Sequence, residues 1–128
     1  MSQIPSQAPS QIPRVSVSDV AGDASILDVR EPDEWAAGHA PGAIHIPLGE
    51  LPDRLSELAE LAELSDVLAD SGGGTVAVTC RGGGRSSRAV AWLTEQGYAV
   101  ANLDGGMKAW QAAGKPMVAD GDAAPQVK

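Results

Sequence analysis

The sequence holds 128 residues, with 9 Lys and Arg against 17 Asp and Glu, a net charge of -8, one Cys and no Phe. That length suits a single domain with a core of its own, and the lone Cys excludes a disulfide scaffold or a Cys-rich zinc fold. The acidic balance excludes a general nucleic-acid binder and a partner for anionic membrane surfaces. No run approaches the roughly 20 apolar residues of a membrane span. The first residues also lack the basic and apolar regions of a secretory signal. A soluble, cytoplasmic protein with a reduced thiol is expected.

In chain order, residues 1–13 read SQIP, SQAP, SQIP after Met1. So polar and proline-punctuated a segment has too little apolar surface to offset its chain entropy, and disorder is expected. A globular domain is expected over 14–118 and a flexible tail over 119–128. Val15 to Val17 and Ser25 to Val29 read as strands. Glu31-Pro32-Asp33-Glu34-Trp35 opens a helix, with proline in the first turn and carboxylates at the positive end of its dipole; Gly38 stops it. Ala43 to Ile46 is a third strand, closed by Pro47. Residues 51–70, with Leu at 51, 55, 58, 61, 64 and 68, read as the longest helix. Leu58, Leu61 and Leu64 would fan over a face about 120° wide, suited to lying on a sheet. Thr75 to Thr79 is a β-branched strand between two glycine triplets. A helix over Ser86 to Gln96, a strand over Tyr98 to Leu103 and a helix over Gly106 to Ala113 complete the pattern. Its alternation predicts an α/β fold, one mostly parallel sheet of about five strands with helices on both faces. The four aromatic residues are Trp35, Trp92, Tyr98 and Trp110, so Ala, Val, Leu and Ile must fill most of the core. Trp92 and Trp110 fall on helix patterns and are expected there too.

The one Cys directly follows the strand TVAVT. Cys80 thus stands at the carboxyl end of a parallel strand, where open α/β sheets bind ligands. The loop Arg81-Gly82-Gly83-Gly84-Arg85 comes next, and Ser86-Ser87-Arg88 opens a helix. The glycines permit positive φ, so the loop can curl with its N–H groups inward. The helix N-terminus and the arginines add positive charge at the same point. All of this favours the thiolate, the nucleophilic form of Cys80. A merely structural cysteine needs none of it. The loop is not a Walker-type phosphate loop, since Arg stands where that motif requires Lys. Four residues separate Cys80 from Arg85, one fewer than in cysteine-dependent phosphatases. The tighter cradle suits one sulfur atom on the Cys better than a phosphate group.

Four stretches carry a family resemblance: Leu27-Asp28-Val29-Arg30-Glu31, Gly38-His39-Ala40-Pro41-Gly42-Ala43-Ile44-His45-Ile46-Pro47, Cys80-Arg81-Gly82-Gly83-Gly84-Arg85-Ser86, and Leu103-Asp104-Gly105-Gly106 with Trp110. In this order they make the sequence resemble a single-domain rhodanese, a thiosulfate sulfurtransferase. The resemblance implies Cys80 as the persulfide-forming catalytic residue. It implies Arg81, Gly82, Gly83, Gly84, Arg85 and Ser86 as the substrate-binding loop, and Asp28 and Arg30 as support beneath it. Ala40 stands where the family usually has Ile. The implied reaction moves a sulfane sulfur from thiosulfate to a thiophile, cyanide in vitro or a thiol or protein in cells, with no cofactor and no metal. His39 and His45 are too few for a zinc site and are expected to be structural. Ser86 and Ser87 are expected to cap the helix. The alternatives are a cysteine phosphatase or arsenate reductase on the same fold, and a persulfide carrier for a partner protein. Residues 71–92 hold three Arg and no acid, so basic charge gathers at the loop of an otherwise acidic chain.

Overall fold

The computed structural model describes residues 12–22, 24–57, 76–121 and 124–128. Five strands form one parallel sheet in the order β1-β5-β4-β2-β3. They are β1 (Arg14–Val15), β2 (Ile26–Asp28), β3 (Ala43–His45), β4 (Val76–Thr79) and β5 (Val100–Leu103). The helices lying wholly among the described residues are α1 (Pro32–Ala37), α2 (Gly84–Glu95) and α3 (Gly106–Ala112), with short 3-10 turns at Val17–Asp19 and Leu48–Glu50. The expected α/β architecture is present, with every strand pair parallel. The expected disordered segment and most of the 51–70 helix, including Leu58, Leu61 and Leu64, lie outside the described residues. No helix among the described residues is long and apolar enough to cross a membrane.

Alternation along the strands sends successive side chains to opposite faces. Leu27, Val29, Val76, Val78 and Cys80 pack with Ala89, Val90, Trp92 and Leu93 of α2. Ile26, Ala77 and Leu103 pack on the other face with Met107 and Trp110 of α3. Strands covered on both sides need apolar residues at every position, which is why they read as short continuous runs rather than alternations. Both tryptophans are buried as expected.

The element ends differ from the sequence pattern for local reasons. Helix α2 begins at Gly84, two residues before Ser86, because Gly83 takes φ +112° and turns the chain at once. Strand β5 begins at Val100, because the Tyr98 N–H still donates to Leu93 O and Gly97 takes φ +93°, a left-handed helix ending. Strand β1 stops at Val15, because Ser16 caps the following 3-10 turn through its hydroxyl. Beyond α3, Val118 pairs with His39 in an antiparallel bridge. The Asp120 and Gln126 N–H groups donate to Ala36 O and Ala37 O, and Lys128 Nζ lies 2.8 Å from Asp33 Oδ2. The C-terminal segment therefore lies along the end of α1.

Candidate active site

Cys80 leaves the end of β4 with its side chain on the α2 face and is only 1% exposed. The loop folds back over it. The Gly83 N–H donates to Cys80 Sγ at 3.0 Å, and Ser86 Oγ lies 3.4 Å from the same sulfur. Of the three loop glycines only Gly83 uses positive φ. A Cβ at Gly82 or Gly84 would meet nothing within 4 Å, so those two positions face open space. Ser86 and Ser87 act at the helix start, but not as N–H acceptors. Ser87 Oγ donates to Gly83 O at 2.6 Å, which fixes the turn from the carbonyl side, and Ser86 Oγ lies 3.2 Å from the same oxygen.

The loop is also fastened from α3. The Met107 N–H donates to Cys80 O at 2.8 Å, and the Lys108 N–H donates to Arg81 O at 3.1 Å. Gly105 and Gly106, at φ +77° and +58°, bring the helix start against these two carbonyls. The Asp104-Gly105-Gly106 stretch was legible as a signature, but only the fold gives it this task.

Arg85 is drawn sideways. Its Nη1 and Nη2 donate to Glu34 Oε1 and Oε2 at 2.7 Å and 2.8 Å, a bidentate pair between α1 and α2. The Glu31 N–H also donates to Glu34 Oε1. The Arg85 hydrogen bonds hold the Glu34 carboxyl below its ordinary value of 4.5, and the Glu34 hydrogen bonds hold Arg85 above its own. Arg81, by contrast, is exposed. Sequence reasoning placed Glu34 in the first turn of a helix but had no sign of a partner 51 residues away. A double-mutant cycle of Glu34→Gln and Arg85→Met in urea unfolding should give a coupling of about 1–2 kcal/mol at neutral pH. Because the folded Glu34 value is depressed, the contribution is whole above 4.5 and disappears as pH falls through that lower value. A coupling that stays constant down to strong acid would contradict the pairing.

At the end of β2, where Asp28 pairs with Thr79 of β4, Asp28 and Arg30 are both fully buried. Arg30 Nε donates to Asp28 Oδ1 at 2.9 Å and Arg30 Nη2 to Asp28 Oδ2 at 2.7 Å. Nη2 also reaches Gly38 O at 2.7 Å, and Nη1 is buried without a partner. Trp35 stacks with both His39 and His45, at ring-centre distances of 3.6 Å and 4.8 Å. His39 Nδ1–H donates to Trp35 O and His45 Nε2–H to Arg30 O, each at 2.7 Å. These contacts tie Gly38 and His45 to Arg30 after β2, and His39 to Trp35 of α1. No group of three or more potential metal ligands occurs among the described residues. Asn102 escaped the sequence reading altogether. It is buried in β5 and hydrogen bonded to Ser86 Oγ. Its one signal was an amide inside the apolar run Val100–Leu103.

The rhodanese-like domain model matches residues 16–113. A sulfurtransferase of Allochromatium vinosum is 38% identical over 98 residues, covering 76% of this chain and 80% of that one. The thiosulfate sulfurtransferase GlpE of Stutzerimonas stutzeri is 36% identical over 89 residues, covering 69% and 71%. Among solved structures, a rhodanese-related protein from Thermoplasma volcanium superposes with a TM-score of 0.66 at 28% identity, over 83% of this chain and 97% of that one. With the matched span running through the loop, the helix behind it and the helix beneath it, the chain belongs to the rhodanese-like domain family.

Proposed function

We propose that the protein is a thiosulfate sulfurtransferase working through a persulfide on Cys80. The observation that carries this reading is the contact of the Gly83 N–H with Cys80 Sγ at 3.0 Å inside a loop bearing Arg81 and Arg85. A thiolate stabilised by a backbone donor is the attacking species. It attacks the outer, sulfane sulfur of thiosulfate. The S–S bond of thiosulfate breaks, its electron pair leaves with sulfite, and Cys80 carries the persulfide. A thiophile then attacks the terminal sulfur and Cys80 leaves as thiolate: cyanide departs as thiocyanate, and a thiolate as its own persulfide. No oxidant is needed, because the sulfane sulfur is passed on at one oxidation level.

Two features support a small donor. The thiol is almost wholly enclosed, so a slender sulfur end reaches it more readily than a phosphate ester. Arg81 is exposed at the loop, where it can meet a dianion that the acidic surface elsewhere repels. Arg85, engaged by Glu34, contributes more to the shape of the cradle than as a free cation.

Intact mass spectrometry after thiosulfate treatment should find one added sulfur on the chain, with one sulfite released, and cyanide should strip that sulfur as thiocyanate. Cys80→Ala should give neither signal. Turnover of a phosphate ester with no sulfur adduct would replace this reading with the phosphatase one. A protein acceptor preferred over small thiols by orders of magnitude in kcat/KM would make the chain a persulfide carrier.

A further inference from the structure

Ser86 Oγ stands among three acceptors. Cys80 Sγ is 3.4 Å away, Gly83 O is 3.2 Å away, and Asn102 Oδ1 is in hydrogen-bond contact. A serine hydroxyl has one proton and two lone pairs, so it serves one acceptor at a time. Ser86 is fully buried and Asn102 is 3% exposed, so bulk water does not supply a missing donor, and a buried charge without one is costly.

With Cys80 as the thiol, the protons suffice. The S–H donates to Ser86 Oγ, and Ser86 donates to Asn102 Oδ1. With Cys80 as the thiolate they do not, because Ser86 then turns a lone pair toward the anion. A half-turn of the Asn102 carboxamide about its Cβ–Cγ bond restores the match. The two ends of a carboxamide are almost the same in shape, so little repacking is needed. Nδ2 then donates to Ser86 Oγ, and Ser86 donates to the sulfur. Together with the Gly83 N–H, the thiolate has two donors. Before the turn, with Oδ1 toward Ser86, Nδ2 points to the side of Gly83, where even a Cβ would stand no closer than 3.7 Å.

We propose that Asn102 is a positioning residue whose amide orientation switches Ser86 between accepting from the Cys80 thiol and donating to the Cys80 thiolate. This rests on Cys80 being the nucleophile of the proposed function. The thiol proton goes to solvent, and no other group changes its protonation. Among the described residues, the charged groups on the elements around Cys80 are Arg81 of the loop, Arg85 and Arg88 of α2, the Asp28–Arg30 pair at the end of β2, Asp104 and Lys108 at the start of α3, and Glu34 of α1 paired with Arg85; Asn102 itself is neutral. Because Cys80 is a thiolate both when it attacks and when it leaves, the relay acts on kcat rather than on donor binding.

Asn102→Leu keeps a similar volume and adds no charge. It leaves Ser86 able to turn its proton to Gly83 O. The pH midpoint of thiolate absorbance, read as the difference from Cys80→Ala, should rise by about one unit, a tenfold weaker acid. At pH values below the measured midpoint of the unaltered chain the kcat should fall about tenfold, with KM for thiosulfate within about twofold. Ser86→Ala should shift the midpoint the same way, and combining the two should add little more. In the unaltered chain, the side-chain amide NMR signal of Asn102 should move with the Cys80 midpoint, an observation that needs no variant to fold. An unmoved midpoint in Asn102→Leu, or an Asn102 signal indifferent to Cys80 ionisation, would overturn the proposal. Absence of a sulfur adduct alongside a shifted midpoint would defeat the proposed function and leave the switch standing.

Discussion

Gly106→Ala should lower sulfur transfer by about 100-fold and cost roughly 2–4 kcal/mol of stability. Gly106 sits at φ +58°, a conformation that L side chains rarely adopt. A Cβ there would also lie 2.7 Å from Arg81 O and closer still to Cys80 O. Both obstacles are backbone, so no flexible side chain can move aside. The two carbonyls accept from the Met107 and Lys108 N–H groups. Relief of the clash therefore means lifting α3 off the loop or tilting the Cys80 peptide. A displacement of about 1 Å at a reacting group is enough for the loss given. Gly84→Ala is the matched comparison: no positive φ, and no atom within 4 Å of its Cβ. It should unfold within about 0.5 kcal/mol of the unaltered chain. Steady-state sulfite release and urea unfolding measure both. Equal effects from the two substitutions would mean that α3 does not set the loop.

Asp28→Asn should destabilise the protein by about 3–5 kcal/mol while barely changing side-chain volume. The pair it breaks is wholly buried. Removing the carboxylate charge leaves a guanidinium in the interior with only Gly38 O and a neutral amide as acceptors. The unpartnered Nη1 means that there is no spare acceptor to take up the difference. The intact pair is not by itself a strong stabiliser, since desolvation offsets much of its attraction. Adding Arg30→Met to Asp28→Asn should therefore recover part of the loss. Urea unfolding with an unchanged m-value would isolate the effect. A loss under about 1 kcal/mol for Asp28→Asn alone would show that water reaches the pair.

The fold and the shape of the loop after Cys80 could be read from residues close together in the chain. The β-branched run before Cys80, the glycine triplet after it and the hydroxyls opening α2 are all local, and local chemistry dictates a strand, a tight turn and a helix start. The Asp28 and Arg30 spacing likewise placed both side chains near the end of β2, two residues apart and able to meet. What escaped were contacts made across the sheet. Glu34 reads as a first-turn helix carboxylate, and it is one; that it also grips Arg85 depends on how α1 and α2 lie over their strands. Asn102 reads as an odd residue in an apolar strand, and only the adjacency of β5 to β4 sets it beside Ser86.

The sequence by itself determined the parallel α/β architecture and the strand-end position of Cys80, because apolar patterning and glycine conformational freedom act over a few residues and need no distant partner. Tertiary structure alone decided which neighbours the thiol meets. The strand order brings β5 and α3 next to β4, so the Asn102 amide, the α3 N–H groups and the Glu34 carboxylate converge on the loop from three separate segments. Hydrogen bonds and ion pairs reach only a few ångströms, and no spacing along the chain reveals which groups the packing will bring that close.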